Sequence, residues 1–256
     1  MNVRVVTEAE RPLADEEWEG VVRPVWPEFM LHDAIVKRHW GRLADGFAEF
    51  QLVALDDSDE VVAIGNTIPF AWDGAAGSLP NGIDEVLPAG VEGLAQGVAP
   101  TTLCALQAVV RPDRQGRALS AVVIEAMCDV ARRHGLGALV APVRPTLKAS
   151  YPLVAMERYA GWTREDGLPF DPWLRVHKRL GSETLGIADA SMTVDGTAAE
   201  WERWAGMAFP ESGAYVVPGA LVPVEIDRER DAGRYVEPNV WVRHPSMVDR
   251  RSTSED

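Results

Sequence analysis

The strongest pattern of apolar and polar positions in the chain lies at residues 119–134. Its apolar residues recur at helical spacing along one face: Leu119, Val122, Val123, Ala126, Met127, Val130 and Ala131. Glu125, Asp129 and Arg132 occupy the opposite face, and Gly135 follows the last apolar position. Because glycine commonly ends helices, the pattern predicts an amphipathic helix that stops at this residue.

Short apolar runs on both sides of this helix have the composition of β-strands. Two of them, FQLVALDD and EVVAIGNTIPF, are separated by an acidic turn at residues 56–59 and predict a hairpin. Further strands are predicted at NVRVV (2–6), TTLCALQAVV (101–110), GALVAPV (137–143) and PWLRVHKRLG (172–181). Residues 73–100 between them are rich in Gly and Pro and weakly patterned, with a short helix predicted near Asp84, and such lengths often cover a site.

Composition narrows the class of protein. The 256-residue chain has 25 Lys and Arg against 39 Asp and Glu, a formal charge of −14, which argues against nucleic-acid or anionic-membrane partners. No apolar run approaches the roughly 20 residues that span a bilayer, and the N-terminal residues lack the apolar core of a signal peptide. The two cysteines, Cys104 and Cys128, form no pair by spacing, which favours a cytoplasmic location.

The turn before the long helix is basic, although the chain is acidic. Arg111, Arg114 and Arg117 surround it, with Asp113 as the opposing charge. The N–H groups at a helix start bind anions such as phosphate, and Gly116 allows close backbone approach. A solvated basic turn is the alternative interpretation. The spacing fits neither a Walker loop nor a dinucleotide-binding fingerprint.

The stretch resembles the acetyl-CoA-binding motif of the GCN5-related N-acetyltransferases. In that family a strand ending in Val-x-Pro is followed by Gln/Arg-x-x-Gly-x-Gly/Ala at the start of a helix. Residues 110–112 match the first part and residues 115–120 the second, with Ala118 in place of the central glycine and Ser120 in place of the final small residue. The order of elements agrees, and Gly161-Trp162 resembles the Gly-Phe pair that ends the family's fourth helix.

The resemblance covers residues 1–180 and implies an α/β (α+β) fold. It is a mixed, mostly antiparallel twisted sheet flanked by helices, with residues 73–100 as an insertion and 181–256 as a C-terminal extension. The pantetheine arm of acetyl-CoA would pair with the backbone of Val109 and Val110, as an added strand does. The pyrophosphate would lie on the N–H groups of the turn residues: Gln115, Gly116, Arg117, Ala118, Leu119 and Ser120.

The implied activity is acetyl transfer from acetyl-CoA to an amine of a small molecule or peptide. The family's proton donor, a tyrosine four residues before the Gly-Phe pair, falls here on Glu157, so Tyr159 and Tyr151 are the candidate catalytic residues. Both are equally well explained as packing residues. No glutamate base lies on the strand before the motif; His32, His177 and Glu237 are the alternatives. No metal-ligand spacing is present.

Two other functions stay open on the same fold. One is a non-catalytic acyl-CoA-binding module, and the other an acyltransferase or thioesterase that uses a larger acyl-CoA. Residues 181–256 are too apolar for a disordered tail and are expected to pack on the preceding domain. They would wall the acceptor side of the cleft, cover the sheet edge, or join a second copy of the chain in a homodimer.

Overall fold

The computed structural model describes residues 3–116 and 118–245. Within them the chain forms one sheet of nine strands: β1 (Arg4–Thr7), β2 (Leu52–Leu55), β3 (Val61–Phe70), β4 (Thr102–Val110), β5 (Ala138–Val143), β6 (Glu183–Gly196), β7 (Gly213–Tyr215), β8 (Val224–Asp227) and β9 (Ala232–Pro245). The helices of the same residues are α1 (Asp15–Val22), α2 (Ala34–His39), α3 (Arg42–Phe47), α4 (Ile83–Gln96), α5 (Leu119–Arg133), α6 (Met156–Ala160), α7 (Pro172–Arg179) and α8 (Ala198–Ala205). None of these helices is long and apolar enough to cross a bilayer.

The strands follow the order β1-β2-β3-β4-β5-β9-β8-β7, and β6 also pairs with β9. Neighbouring strands run antiparallel except β4 and β5, which are parallel. Their parallel pairing extends over only two positions, Leu103 opposite Leu139 and Cys104 opposite Val140. The two strands therefore separate beyond these positions, and the sheet opens between them.

Helix α5 matches the predicted amphipathic helix. Its buried residues are Leu119, Val123, Ile124, Met127, Val130 and Ala131. Burial of each of the larger side chains among them stabilises the fold by about 1.5–3 kcal/mol. The helix lies so close to β3 that a Cβ placed on Gly65 would stand 2.7 Å from Met127 Cε and 2.8 Å from Val123 Cγ1. Glycine at this position is what permits the close approach.

One predicted element is wrong. The segment predicted as a strand at residues 172–181 contains helix α7, because Asp171 caps it by accepting from the N–H groups of Trp173 and Leu174, and Pro172 fits the first turn. The helix predicted near Asp84 is α4, which is longer than expected: it occupies half of residues 73–100 and packs on β3 and β6.

The C-terminal region is part of the same sheet. Strand β9 pairs with β5 over six positions, from Ala138 opposite Pro245 to Val143 opposite Val240. The boundary expected after residue 180 therefore does not divide the sheet, and β9 takes a central place because both its edges are paired. Two large buried side chains of this region, Trp201 and Tyr235, pack with Phe29 of the N-terminal region.

Candidate active site

A cavity of about 660 Å³ follows the opening between β4 and β5. One end is lined by Gln115, Gly116, Ala118, Leu119 and Ser120, and the other by Arg144, Glu237 and Asn239. The opening is widened by a bulge in β4: Asn66 stands opposite Gln107 and Thr67 opposite Ala105, so Leu106 is an extra residue. A bulge bends its strand, and here it lies beside the cavity.

The bonding pattern of β4 decides which backbone groups face the opening. Arg111 N–H donates to the Val62 carbonyl at 3.0 Å, and bonding alternates along an antiparallel pair. The backbone N–H and C=O of Val109 therefore face β3, whereas the backbone N–H and C=O of Ala108 and Val110 face the opening. The Val110 carbonyl accepts from Gln115 Nε2 at 3.3 Å, consistent with that direction. Val110 thus fits the expected backbone contact, and Ala108 fits better than Val109.

The turn before α5 has the backbone shape of an anion site. Gly116 and Ala118 have φ values of +77° and +59°, and Ala118 is the N-cap residue of α5. Alanine has no side-chain oxygen to cap the helix, so the first N–H groups of α5 remain available at the end of the cavity. Of the residues expected to hold the pyrophosphate, Arg117 lies outside the described residues, and the other five line the cavity.

Two arginines of this turn, Arg111 and Arg114, are paired with carboxylates. Arg111 donates to Asp113 at 2.7 Å and to Glu60 at 3.3 Å, and Arg114 donates to Asp56 at 3.3 Å. The guanidinium and neighbouring hydrogen bonds keep the pKa of Asp113 below its ordinary value, the Arg111 bond being the main cause. These two arginines therefore fasten the turn to the β2–β3 hairpin, and their charge is matched by carboxylates.

The opposite end of the cavity holds a buried ion pair. Arg144 Nε donates to the two carboxylate oxygens of Glu237 at 3.1 and 2.9 Å, and the Glu237 side chain is 0% exposed. Tyr235 Oη and Asn239 Nδ2 also donate to Glu237, at 2.8 and 3.1 Å. Burial acts to lower the pKa of Arg144, and Glu237 outweighs it, so the pKa of Arg144 is raised. With its oxygens so occupied, Glu237 is a structural carboxylate rather than a free base.

Neither candidate tyrosine is among the residues that line this cavity. Tyr159 is 1% exposed and its Oη donates to Asp171 Oδ2 at 2.8 Å. Burial, followed by that bond, raises the pKa of the Tyr159 hydroxyl. Tyr151 packs edge-on against Trp162, with ring centroids 5.1 Å apart. The catalytic roles of both tyrosines stay predictions that these positions do not support.

His177 is the functional candidate whose placement was missed, because its segment was predicted as a strand. It lines the cavity, is 1% exposed, and lies with its Nδ1 2.9 Å from Nε2 of His244. One spacing in the sequence points to it. His177 stands four residues before Gly181, which is the distance between the family's tyrosine and its Gly-Phe pair, and α7 directly precedes β6. His32, by contrast, stacks on Trp204 at 4.2 Å and lines neither cavity described here.

A second cavity of about 250 Å³ adjoins the first at the bulge. Five residues line both cavities: Trp26, Ile83, Leu106, Gln107 and Met192. Its other walls include the indoles of Trp18 and Trp40. A chain of buried amides holds its inner wall, since Trp26 Nε1 donates to Gln107 at 3.0 Å and Gln107 Nε2 donates to Asn66 at 2.7 Å.

Comparison with known proteins identifies the family. No protein-family model matches the chain. The chain is 34% identical to the arginine N-acetyltransferase avaD of Aspergillus versicolor, over 89% of this chain and 87% of that protein. It belongs to the GCN5-related N-acetyltransferase family. The expected fold, the N-acetyltransferase activity and acetyl-CoA as acetyl donor are thereby confirmed.

Two solved structures share the fold of this acetyltransferase. The loading GNATL domain of CurA from Lyngbya majuscula has a TM-score of 0.61 and 15% identity, covering 96% of this chain and 98% of that chain. The GphF GNAT-like decarboxylase in complex with isobutyryl-CoA has a TM-score of 0.51 and 16% identity, covering 96% and 100%. Their identity is low, so they support the fold alone.

The residues of the cavity fit acetyl-CoA. The free N–H groups of α5 suit the pyrophosphate, and the open edge of β4 suits the amides of the pantetheine arm. Within the described residues, no three His, Cys, Asp or Glu side chains cluster as metal ligands. The cavity thus offers backbone groups at one end and side chains at the other.

Proposed function

We propose that this acetyltransferase transfers the acetyl group to the α-amine of arginine or of a small arginine-containing compound. The observation that carries the proposal is the smaller cavity of about 250 Å³, called the indole-lined cavity below. It meets the larger cavity of about 660 Å³, called the donor cavity below, at the β4 bulge. The arginine N-acetyltransferase activity of the Aspergillus versicolor relative supports the same acceptor.

The indole-lined cavity suits a guanidinium. A guanidinium is planar, weakly hydrated and stacks on aromatic faces, and the attraction strengthens where water is excluded. The two cations in the cavity wall already have partners: Arg23 lies 3.8 Å from both Glu19 and Glu28, and Lys37 Nζ lies 2.9 Å from His32 Nδ1. The side chain of the acceptor would therefore lie among Trp18, Trp26 and Trp40.

Arg144 suits the carboxylate of such an acceptor. It lies with its Cζ 5.9 Å from the Trp26 ring, so it stands next to the junction of the two cavities. Glu237 holds the guanidinium through Nε, the Gly219 carbonyl accepts from Nη2, and Asn239 in turn donates to Glu237, so Nη1 is the nitrogen left for a ligand. A carboxylate at Arg144 and a guanidinium among the indoles would leave the α-amine between them, beside the bulge.

The α-amine is the nitrogen that can react. The attacking amine must be neutral, and an α-amine loses its proton at a much lower pH than a guanidinium, whose pKa lies above about 12. Water can remove the proton from the α-amine, so no strong protein base is required. The amine then attacks the thioester carbon, a tetrahedral intermediate forms, and its collapse breaks the carbon–sulfur bond and releases CoA.

For the donor we propose contacts that follow the backbone of the site. The pyrophosphate lies on the N–H groups around Gly116, Ala118 and the first turn of α5. The pantetheine arm pairs with the exposed backbone edge of Ala108 and Val110. Arg111 and Arg114 support the turn from behind, through their pairs with the β2–β3 hairpin.

A panel of arginine analogues tests the acceptor. Free thiol release and product mass are measured with L-arginine, L-citrulline, agmatine and Nα-acetyl-arginine. We expect turnover to be fastest with arginine, slower with citrulline and agmatine, which lack the guanidinium and the carboxylate respectively, and absent with Nα-acetyl-arginine. Equal rates with arginine and citrulline would contradict the indole site, and acetylation of Nα-acetyl-arginine would contradict the α-amine.

A variant of one indole tests the acceptor site, with CoA affinity as the control measurement. Trp40 lines the smaller cavity and not the donor cavity. Trp40→Leu should raise KM for arginine and leave CoA affinity unchanged. A variant that loses CoA affinity in proportion would show that the indole supports the fold rather than the acceptor.

We also propose a cytoplasmic location. Cys104 and Cys128 are both free thiols, the first buried and the second half-buried. Unpaired thiols suit a reducing compartment. Fractionation of cells with an antibody to the protein tests this, and recovery in the membrane or secreted fraction would contradict it.

A further inference from the structure

The histidine pair behind the donor cavity has one atom without a partner. His177 Nδ1 and His244 Nε2 are 2.9 Å apart, and both side chains are nearly fully buried. His177 Nε2 is buried with no hydrogen-bond partner among the described residues. Buried polar atoms are nearly always bonded, so an orphan atom in the wall of a ligand cavity points to the ligand as its partner.

The hydrogen positions of the pair follow from its surroundings. Burial lowers the pKa of His177 to about 3 and that of His244 to about 4, so both rings are neutral and carry one N–H each. A hydrogen bond with the backbone of Leu180 acts to raise the pKa of His244, as an N–H donated to a carbonyl does. His244 therefore carries its hydrogen on Nδ1 and accepts with Nε2.

The remaining assignment is determined by this chain of bonds. Because His244 Nε2 accepts, His177 Nδ1 must donate to it. His177 Nε2 then carries a lone pair and no hydrogen. It can accept a hydrogen bond and cannot donate one, so His177 in this state is not a proton donor for a departing thiolate.

The register places the pair at the narrow end of the opening. His244 of β9 stands opposite Leu139 of β5, and Leu139 stands opposite Leu103, one position before Cys104 and Val140, where the parallel pairing of β4 and β5 ends. His177 lines the cavity together with Ile124 of α5 and Trp173 of α7, away from the turn that fits the pyrophosphate. The part of acetyl-CoA that runs between the strands is the pantetheine arm, which has two amide N–H groups and a hydroxyl.

We propose that His177 Nε2 accepts a hydrogen bond from an N–H or O–H group of the pantetheine arm, and that His244 is a positioning residue that holds His177 in the accepting tautomer. The Trp173 ring is edge-on to His177 with centroids 4.5 Å apart, and both residues line the cavity. His177 would thus recognise the donor through a side chain, in addition to the backbone contacts of β4 and α5.

Binding measurements with the two halves of CoA test the proposal. Calorimetry is performed with CoA, pantetheine and adenosine 3′,5′-bisphosphate on the wild type, His177→Phe and the control His39→Gln, a histidine outside both cavities. His177→Phe should weaken CoA and pantetheine by about tenfold, the worth of one buried hydrogen bond, and leave the bisphosphate unchanged. Unchanged CoA affinity, or an equal loss for both halves, would overturn the proposal.

A second measurement reads the tautomer of His177 directly. In protein labelled with ¹⁵N-histidine, the free enzyme should show His177 with hydrogen on Nδ1, and CoA should shift the Nε2 resonance toward that of a hydrogen-bonded acceptor. His244→Phe should leave His177 in a mixture of tautomers. A hydrogen on Nε2 of the free enzyme, or an Nε2 signal that CoA does not move, would refute the assignment.

Discussion

The two ends of the donor cavity offer different groups to a ligand. At the α5 end the available groups are backbone N–H, while Arg111 and Arg114 are paired with carboxylates at the surface. At the other end the groups are buried side chains, Arg144 and Glu237, held in a network with Tyr235. The first end depends on backbone shape and tolerates changes of side chain, whereas the second depends on each side chain being present.

The largest effect is expected from breaking the buried ion pair. Glu237→Leu leaves Arg144 without its counter-ion in a site where water is scarce, so the free energy of unfolding should fall by about 3–5 kcal/mol. Urea unfolding measures it. Asp195→Ala is the matched control, since Asp195 pairs with Arg234 of β9 at 3.0 Å but is 61% exposed, and should cost less than about 1 kcal/mol. If the two variants lose the same free energy of unfolding, burial does not make the Arg144–Glu237 pair more important for stability than the exposed Arg234–Asp195 pair.

Beside α4 lies a pair of carboxyl groups, the buried Asp33 and the half-buried Asp84. Burial, followed by the neighbouring Asp33, raises the pKa of Asp84 to about 8 from an ordinary value of 3.8. A raised pKa gives stability that is complete below about pH 4 and is lost as the pH rises through about 8. Between pH 6 and pH 8 the free energy of unfolding should fall by on the order of 2 kcal/mol.

Asp84→Asn tests that pH dependence, because asparagine keeps a group able to donate to Asp33 and does not titrate. Urea unfolding at pH 6 and pH 8 should give a smaller difference for the variant than for the wild type. A wild-type stability that is constant or rises across this interval would show that Asp84 is ionised in the folded protein.

At the α5 end, the backbone of Gly116 is the sensitive feature. A Cβ there would meet nothing within 4 Å, so the cost of Gly116→Val comes from its φ of +77°, about 1–2 kcal/mol for a residue with a side chain. CoA affinity should fall by about tenfold as the turn changes shape. Gly116→Asn should bind CoA much better than Gly116→Val, since asparagine tolerates this region. Equal affinities for the two variants would show that conformation does not limit binding.

The smallest effect is expected at Ala118, which adopts φ +59° without being glycine. Ala118→Gly removes that strain, so it should leave CoA affinity intact and raise the free energy of unfolding by about 1 kcal/mol or less. Thermal unfolding with and without CoA measures both quantities. A loss of stability would mean that neighbouring contacts favour the alanine.

The elements that were predicted well are those specified by neighbouring residues. The periodicity of residues 119–134 places α5 within one residue of its observed end, and the alternation around the acidic turn indicates the β2–β3 hairpin. The small residues Gly116, Ala118 and Ser120 likewise predict the turn before α5 directly from the sequence. Residues 172–181 have apolar positions that suit a strand, and they nevertheless contain a helix because Asp171 caps the start of α7.

The sequence by itself determined the family, the amphipathic helix and the turn that fits a pyrophosphate, because these depend on residues a few positions apart. Tertiary structure alone decided that β9 lies beside β5, and with it the partners of the side chains in the cavity. Arg144 and Glu237 are 93 residues apart, and His177 and His244 are 67 apart. Such pairs form only when strand register and burial bring them together, which no local pattern of residues specifies.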